Sequence, residues 1–216
     1  MRKTVAWLLI LALTAFAFAG CGRTEAAKLA GTWEGQLDLT AVIRQQVPKT
    51  MEDLDVGEFV VTAVFTFTEE GLYAMRLDGE SVTRAVTALV EKLEAYVIQK
   101  LEASAKEQDL TAEQAAQMLG MTPEEYAKKL LEKANVETLT AQVTAQAEAE
   151  GLFEAKDGKL YLSDGADTRP NEGVYSTYTL EGDVLTITAA TGGSEIETNL
   201  LKLVYPIILK KTPAEN

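Results

Sequence analysis

The chain has 216 residues, with 33 acidic and 20 basic side chains and a formal net charge of −13. This acidity argues against a nucleic-acid partner, because neutralising phosphates requires clustered Lys and Arg. The sequence has no His and a single Cys, so it lacks the usual ligands of zinc and copper and the pairs needed for Ser–His or Cys–His catalysis. Serine–lysine catalysis is not indicated either, because none of its serines is followed by Lys three positions later. The sequence therefore predicts no cofactor, no metal site and no catalytic residues.

Residues 1–20 are typical of an export signal. Arg2 and Lys3 precede an apolar run over residues 5–18. A run of about 14 residues is too short to cross a bilayer as a helix, which needs about 20. It matches the apolar region of a signal peptide, which is removed from the mature protein.

The end of this signal, Phe18-Ala19-Gly20-Cys21, resembles the lipobox of bacterial lipoproteins, with Phe where Leu is commoner. The resemblance implies that Cys21 carries a diacylglycerol and becomes the mature N-terminus. It also implies an extracytoplasmic protein that is lipid-anchored to the cell membrane or the outer envelope. Residues 21–30 would form the lipidated tether, about 30 Å long when extended. The alternative is an ordinary secretory signal.

The first block after the tether is rich in predicted strands. One strand opens with Gly31-Thr32-Trp33, and residues 41–47 form a helical turn before Pro48. The side chains of residues 59–68 alternate between two faces, which predicts a strand with Phe59, Phe65 and Phe67 on one face. A turn at residues 69–71 leads into a second strand at residues 72–77, so the pair is typical of a hairpin.

Residues 80–150 form a predicted helical insertion. A long amphipathic helix is indicated by apolar residues spaced by three and four, at Val82, Val86, Leu89, Leu93, Tyr96, Val97 and Leu101. Capping signals at Thr111 and Thr122 begin two shorter helices, and a fourth covers residues 137–150. The two short helices resemble a helix-turn-helix, but carboxylates at the start of the second favour simple helix packing. We expect the long apolar stripe to pack within the chain, on the Phe59 face or over the mouth of the sheet.

The last block contains short strands separated by turn signals. We predict strands at residues 153–155, 159–162, 173–180, 184–188, 195–203 and 205–210. Asp157-Gly158 is a hairpin signal between the first two. Asp164, Asp167, Asn171 and Glu172 lie in one loop, where ordinary turn formation is a better explanation than a calcium site.

These elements predict an α+β fold: an antiparallel up-and-down β-barrel or strongly curved sheet. The domain spans residues 31–211, contains the helical insertion of residues 80–150, and ends in a tail of residues 212–216. Strands joined by close turns, with only one helical interruption, favour this topology.

Gly31-Thr32-Trp33, preceded by Lys28, resembles the opening of lipocalin-like domains. The resemblance implies that Trp33 lies across one end of the barrel beneath a basic residue from a late strand, and Lys202 or Lys210 would fill that role. Trp33 is then either a core residue or part of a ligand cavity.

The leading functional hypothesis is a membrane-anchored, non-catalytic envelope protein that binds a small apolar or amphiphilic molecule between the sheet and the helices. The alternative is a protein-interaction or structural module of the envelope that uses the helical insertion. An enzyme of unknown type is the third hypothesis. The sequence alone does not separate the first two.

Overall fold

A computed structural model describes residues 25–163, 165, 168–192 and 202–213, without the side chain of Lys133. In this part of the chain, eight antiparallel strands form a closed barrel in sequential order, and the last strand pairs with the first. The strands are β1 (Gly31–Asp38), β2 (Val60–Phe67), β3 (Leu72–Leu77), β4 (Ala149–Lys156), β5 (Lys159–Leu162), β6 (Tyr175–Glu181), β7 (Val184–Thr191) and β8 (Ile207–Lys211). The predicted fold class is confirmed, and the sheet closes.

The helices lie before the barrel and in two of its connections. They are α1 (Glu25–Leu29), α2 (Thr40–Gln46), α3 (Gly79–Lys106), α4 (Ala112–Met118), α5 (Pro123–Leu130) and α6 (Val136–Ala147), with 3₁₀ turns at Lys49–Met51 and Glu132–Ala134. The last four helices form the predicted insertion between β3 and β4. Both predicted capping boxes are present, at Thr111 with Gln114 and at Thr122 with Glu125.

The two ends of the barrel differ in their connections. Short turns join β2 to β3, β4 to β5 and β6 to β7 at one end, which we call the turn end. The connections from β1 to β2, β3 to β4, β5 to β6 and β7 to β8 are all long and leave from the other end, which we call the loop end. Helix α1 lies at the turn end because it precedes Gly31, the first residue of β1. Strand β8 also ends there, at Lys211.

Large apolar side chains fill the barrel interior. Successive strand residues point to opposite faces, so Trp33, paired with Phe65, points inward with it. The largest fully buried side chains include Trp33, Phe67, Leu160, Leu185 and Leu209. The rings of Phe67 and Phe153 meet edge to face, with centroids 4.9 Å apart. Such pairing adds to the area burial that stabilises the core.

Gly35 permits the strands that close the barrel to approach each other. A Cβ at this position would collide with the backbone carbonyl of Ile208 and would lie 2.9 Å from a methyl group of Leu209. Only a residue without a side chain fits such a backbone approach.

Helix α3 begins at the rim of the loop end. Asp78 caps it by accepting a 2.8 Å hydrogen bond from the Ser81 amide, and the Ser81 hydroxyl accepts from the Thr62 amide of β2 at 2.9 Å. The next turns bury Val82, Ala85 and Val86 in the same apolar cluster as the barrel interior. The expectation that the stripe packs within the chain is confirmed.

The second half of α3 packs against the segment that joins β1 to β2. Tyr96 forms a small separate core with Leu54 and Val56, and Leu89 and Leu93 pack on it. Lys100 and Lys92 contact Asp53 and Asp55 at 2.6 Å. The hydrogen bond from Lys100 is the main cause that lowers the pKa of Asp53. These pairs are exposed and so orient the segment more than they stabilise the fold.

Some boundaries differ from the sequence prediction. The predicted helix to residue 150 ends at Ala147, and β4 already begins at Ala149, because residues 149–152 pair with β3. The predicted strand at 195–203 lies largely outside the described residues, and its last two residues, Lys202 and Leu203, form a turn. Residues 25–29, expected within an extended tether, are helical.

Candidate functional site

The turn end is closed by the indole of Trp33. The side chain has no exposed surface, and its N–H donates a 2.7 Å hydrogen bond to the carbonyl oxygen of Leu29 in α1. Leu29 is itself fully buried. Trp33 is therefore a core residue that attaches the N-terminal helix to the barrel, which is the first of its two predicted roles.

A basic side chain covers Trp33, as the resemblance to lipocalin-like domains implied, but that side chain belongs to Lys211. Its ammonium nitrogen lies 5.2 Å from the ring centroid. Lys211 pairs with Trp33 across the strands, whereas Lys210 pairs with Glu34 and so points to the opposite face. Lys202 is an exposed turn residue. Assigning this role to Lys202 or Lys210 was therefore wrong. Gly31 has a φ of 126°, a backbone conformation that residues with a side chain rarely adopt, which explains the glycine.

A second contact fixes α1 to the turn end. Tyr178 of β6 donates a 3.0 Å hydrogen bond to a carboxylate oxygen of Glu25. Burial, and then this bond to a carboxylate, raise the pKa of the Tyr178 hydroxyl. The phenol thus remains a donor, and α1 is held at both of its ends.

Hydroxyl groups hold the segment that leaves β5 at the loop end. Tyr73 donates a 2.9 Å hydrogen bond to the carbonyl oxygen of the buried Ser163. A Cβ at Gly151 would collide with that same carbonyl. The segment after β5 therefore passes over Gly151 at the inner face, and the Ser163 hydroxyl holds it through the amide of Leu152 at 2.8 Å.

Ser176 and Tyr205 lie at the same end. Ser176 pairs with the buried Leu160 and so faces inward, and its hydroxyl is 3.5 Å from that of Tyr205. Burial raises the pKa of Tyr205. Both side chains are half-buried. These hydroxyl residues were not predicted from the sequence. Tyr178 and Ser176 have the two-residue spacing of one strand face, but nothing in the sequence distinguished the inner face.

The acidic loop shows turn chemistry where it is described. Asp164 and Asp167 lie outside the described residues. The side chain of Asn171 accepts a 2.9 Å hydrogen bond from the amide of Gly173, as turn-forming Asn residues do. Within the described ranges, no group of three or more His, Cys, Asp or Glu side chains is arranged to hold a metal ion.

The helical insertion of α3 to α6, which we call the helical block, carries a half-open cleft and isolated exposed apolar side chains. The cleft, of about 240 Å³, is lined by Val90, Glu94, Lys128, Leu131, Glu132, Ala134, Asn135 and Val136. Typical small-molecule pockets occupy about 300–1,000 Å³. Met118, Leu119 and Leu130 are exposed to 77%, 56% and 59%. Ala116 and Ala127, by contrast, are fully buried, so α4 and α5 pack as helices on α3, as expected.

Cys21, the predicted lipidation site, lies outside the described residues. Among the helices that are described, none combines the length and the apolar character needed to cross a bilayer.

No protein-family model, curated protein or solved structure matches this chain. The fold and its two ends nevertheless define a class: a closed eight-stranded antiparallel barrel, with one end sealed by Trp33 and long connections at the other. This architecture is compatible with a lipocalin-like fold and with binding of a ligand.

Proposed function

We propose that the protein is a lipid-anchored, non-catalytic component of the bacterial envelope that binds a small apolar or amphiphilic molecule at the loop end of its barrel. The observation that carries the proposal is the contrast between the two ends. The turn end is sealed by Trp33, Lys211 and α1, while every long connection leaves from the loop end. Barrels of eight strands can hold one small ligand, and their mouths are common ligand sites.

The lining of the loop end supports an amphiphilic ligand. Apolar side chains such as Ile187, Ile207 and Leu77 belong to the buried cluster. Tyr205 packs against this cluster, and its hydroxyl group lies 3.5 Å from that of Ser176. Apolar walls with a few polar groups are the usual composition of a small-molecule site. A ligand would place its polar group against the hydroxyl groups and its chain along the apolar side chains, which must move apart to admit it because they are buried.

The anchor is tested by replacing Cys21 with serine. Because a hydroxyl cannot replace the thiol in forming the thioether, Cys21→Ser should accumulate as unprocessed precursor and should not be labelled by a fatty-acid analogue. Thr24→Ser serves as the control and should be processed and labelled like the unaltered protein. Equal labelling of Cys21→Ser would refute the anchor.

Ligand binding is tested with a fluorescent fatty acid and with native mass spectrometry of the purified protein. Ser176→Trp places a large ring inside the loop end and should weaken probe binding at least about tenfold, which corresponds to about 1.4 kcal/mol. Thr177→Trp is the matched control, since the next residue of β6 faces outward. Absence of probe binding, or equal weakening by both changes, would contradict this site.

The exposed side chains of Met118, Leu119 and Leu130 favour a second candidate function, in which the helical block binds another envelope protein. Met adapts to differently shaped partners because it is unbranched and flexible. If the fatty-acid probe does not bind and no ligand is found by mass, this second function becomes the better explanation.

A further inference from the structure

The position of α1 restricts how a lipid-anchored form of this protein can stand on a membrane. Helix α1 is attached to the turn end by Leu29, which is fully buried, and by the hydrogen bonds of Trp33 to Leu29 and of Tyr178 to Glu25. The helix is thus part of the folded body. The distance from the anchor to that body is set by the residues that precede Glu25.

Only three residues, at positions 22–24, separate Cys21 from Glu25. A chain advances by at most about 3.3–3.6 Å per residue, so the two α-carbons are at most about 14 Å apart. This is about half the reach expected for an extended tether of residues 22–30. A lipid on Cys21 therefore brings the turn end close to the headgroups.

The distribution of charge favours the same orientation. The segments at the turn end are 25–28, 68–71, 156–159, 181–183 and 210–213, and they contain five lysines and six carboxylates. The connection over residues 79–148 contains seven basic and twelve acidic side chains. An anionic leaflet attracts basic residues and repels acidic ones within about a Debye length of its surface. The nearly balanced turn end is repelled less than the acidic helical block.

We propose that the turn end of the barrel is a membrane-facing surface, which lies against the headgroups of an anionic bilayer while the loop end and the helical block point away. This orientation rests on the proposed lipidation of Cys21. It turns the loop end, where the ligand site is proposed, toward the aqueous side, so a ligand would reach the barrel from there and not directly from the bilayer.

The test uses the lipidated protein in vesicles of phosphatidylethanolamine and phosphatidylglycerol that contain a lipid with a nitroxide on its headgroup. Because Cys21 is the only cysteine, and the proposed lipid would block its sulfur, one engineered cysteine can be labelled selectively with a fluorophore. Glu181→Cys places the label on the last residue of β6, next to the β6–β7 turn, and Glu113→Cys places it on α4; both positions are exposed. The Glu181→Cys label should lose most of its fluorescence by quenching, and the Glu113→Cys label should keep most of it.

A longer tether provides the second variant. Ten Gly and Ser residues inserted between Thr24 and Glu25 leave α1 intact and should reduce the quenching at Glu181→Cys. Mass spectrometry first establishes whether Cys21 carries lipid. A product without lipid overturns the anchor and the orientation together. A lipidated protein with equal quenching at both positions, or stronger quenching at Glu113→Cys, overturns the orientation and leaves the anchor intact.

Discussion

Replacing Trp33 by alanine should lower the free energy of unfolding by about 3–5 kcal/mol, as large-to-small changes at buried aromatic residues do. The ring has no exposed surface. Its removal leaves a cavity at the turn end and deprives the Leu29 carbonyl oxygen of its donor. It also removes the surface beneath Lys211. Denaturant titration followed by circular dichroism measures the effect, because the variant lacks the tryptophan that fluorescence would report.

Two further variants separate the contributions of the ring, its N–H group and the cation. Trp33→Phe keeps a large ring but loses the hydrogen bond, and should cost about 1–3 kcal/mol. Lys211→Met keeps an apolar stem without the charge and should cost no more than about 1 kcal/mol, since cation–π pairs near the surface contribute about that much. If Trp33→Ala lowered the free energy of unfolding less than Lys211→Met does, Trp33 would not be the residue that closes the barrel.

The features that the sequence predicted correctly depend on local chemistry. Asp157-Gly158 forms the β4–β5 turn because both residues adopt positive φ, which these residue types tolerate. Thr111 and Thr122 begin helices because their side chains accept hydrogen bonds from amides three residues later. Such signals involve neighbours in the chain, so they can be recognised without knowledge of the fold.

The features that differed from the sequence prediction depend on contacts between distant parts of the chain. Residues 145–150 have the sequence Ala-Gln-Ala-Glu-Ala-Glu and resemble a helix end, but pairing with β3 makes residues 149–152 a strand. Lys211 covers Trp33 only because β8 returns to β1 in one particular register. Helix α1 has five residues, too few to be stable alone. Its attachment to Trp33 and Tyr178 makes it part of the barrel.

The candidate ligand site was predicted only as a region between sheet and helices. Its hydroxyl groups come from Ser176 on β6 and from Tyr205 just before β8, which are 29 residues apart. The crossing segment at Ser163 depends on the absence of a side chain at Gly151. Neither arrangement has a sequence signature, because each is set by barrel closure.

Replacing Val82 by aspartate should lower the free energy of unfolding by about 3–5 kcal/mol, because it buries a charge without a partner. Val82 has no exposed surface and belongs to a hydrophobic cluster that includes Leu37 and Leu77. Asp and Val are similar in size, so the loss would reflect charge and not volume. Thr83→Asp is the matched control: the next residue of α3 is exposed, and surface changes usually stay within about 0.5 kcal/mol.

The pH dependence identifies the charge as the cause. Burial raises the pKa of an aspartate above its unfolded value of about 3.9. Between the two values the folded variant binds more protons than the unfolded one, so its stability falls as pH rises. The difference in free energy of unfolding between Val82→Asp and Thr83→Asp should therefore become smaller as pH falls below the raised pKa. Equal stability of both variants would show that α3 is not part of the barrel core. Selective loss of hydrogen-exchange protection in residues 79–147, with protected strands, would show that the insertion unfolds as a separate unit.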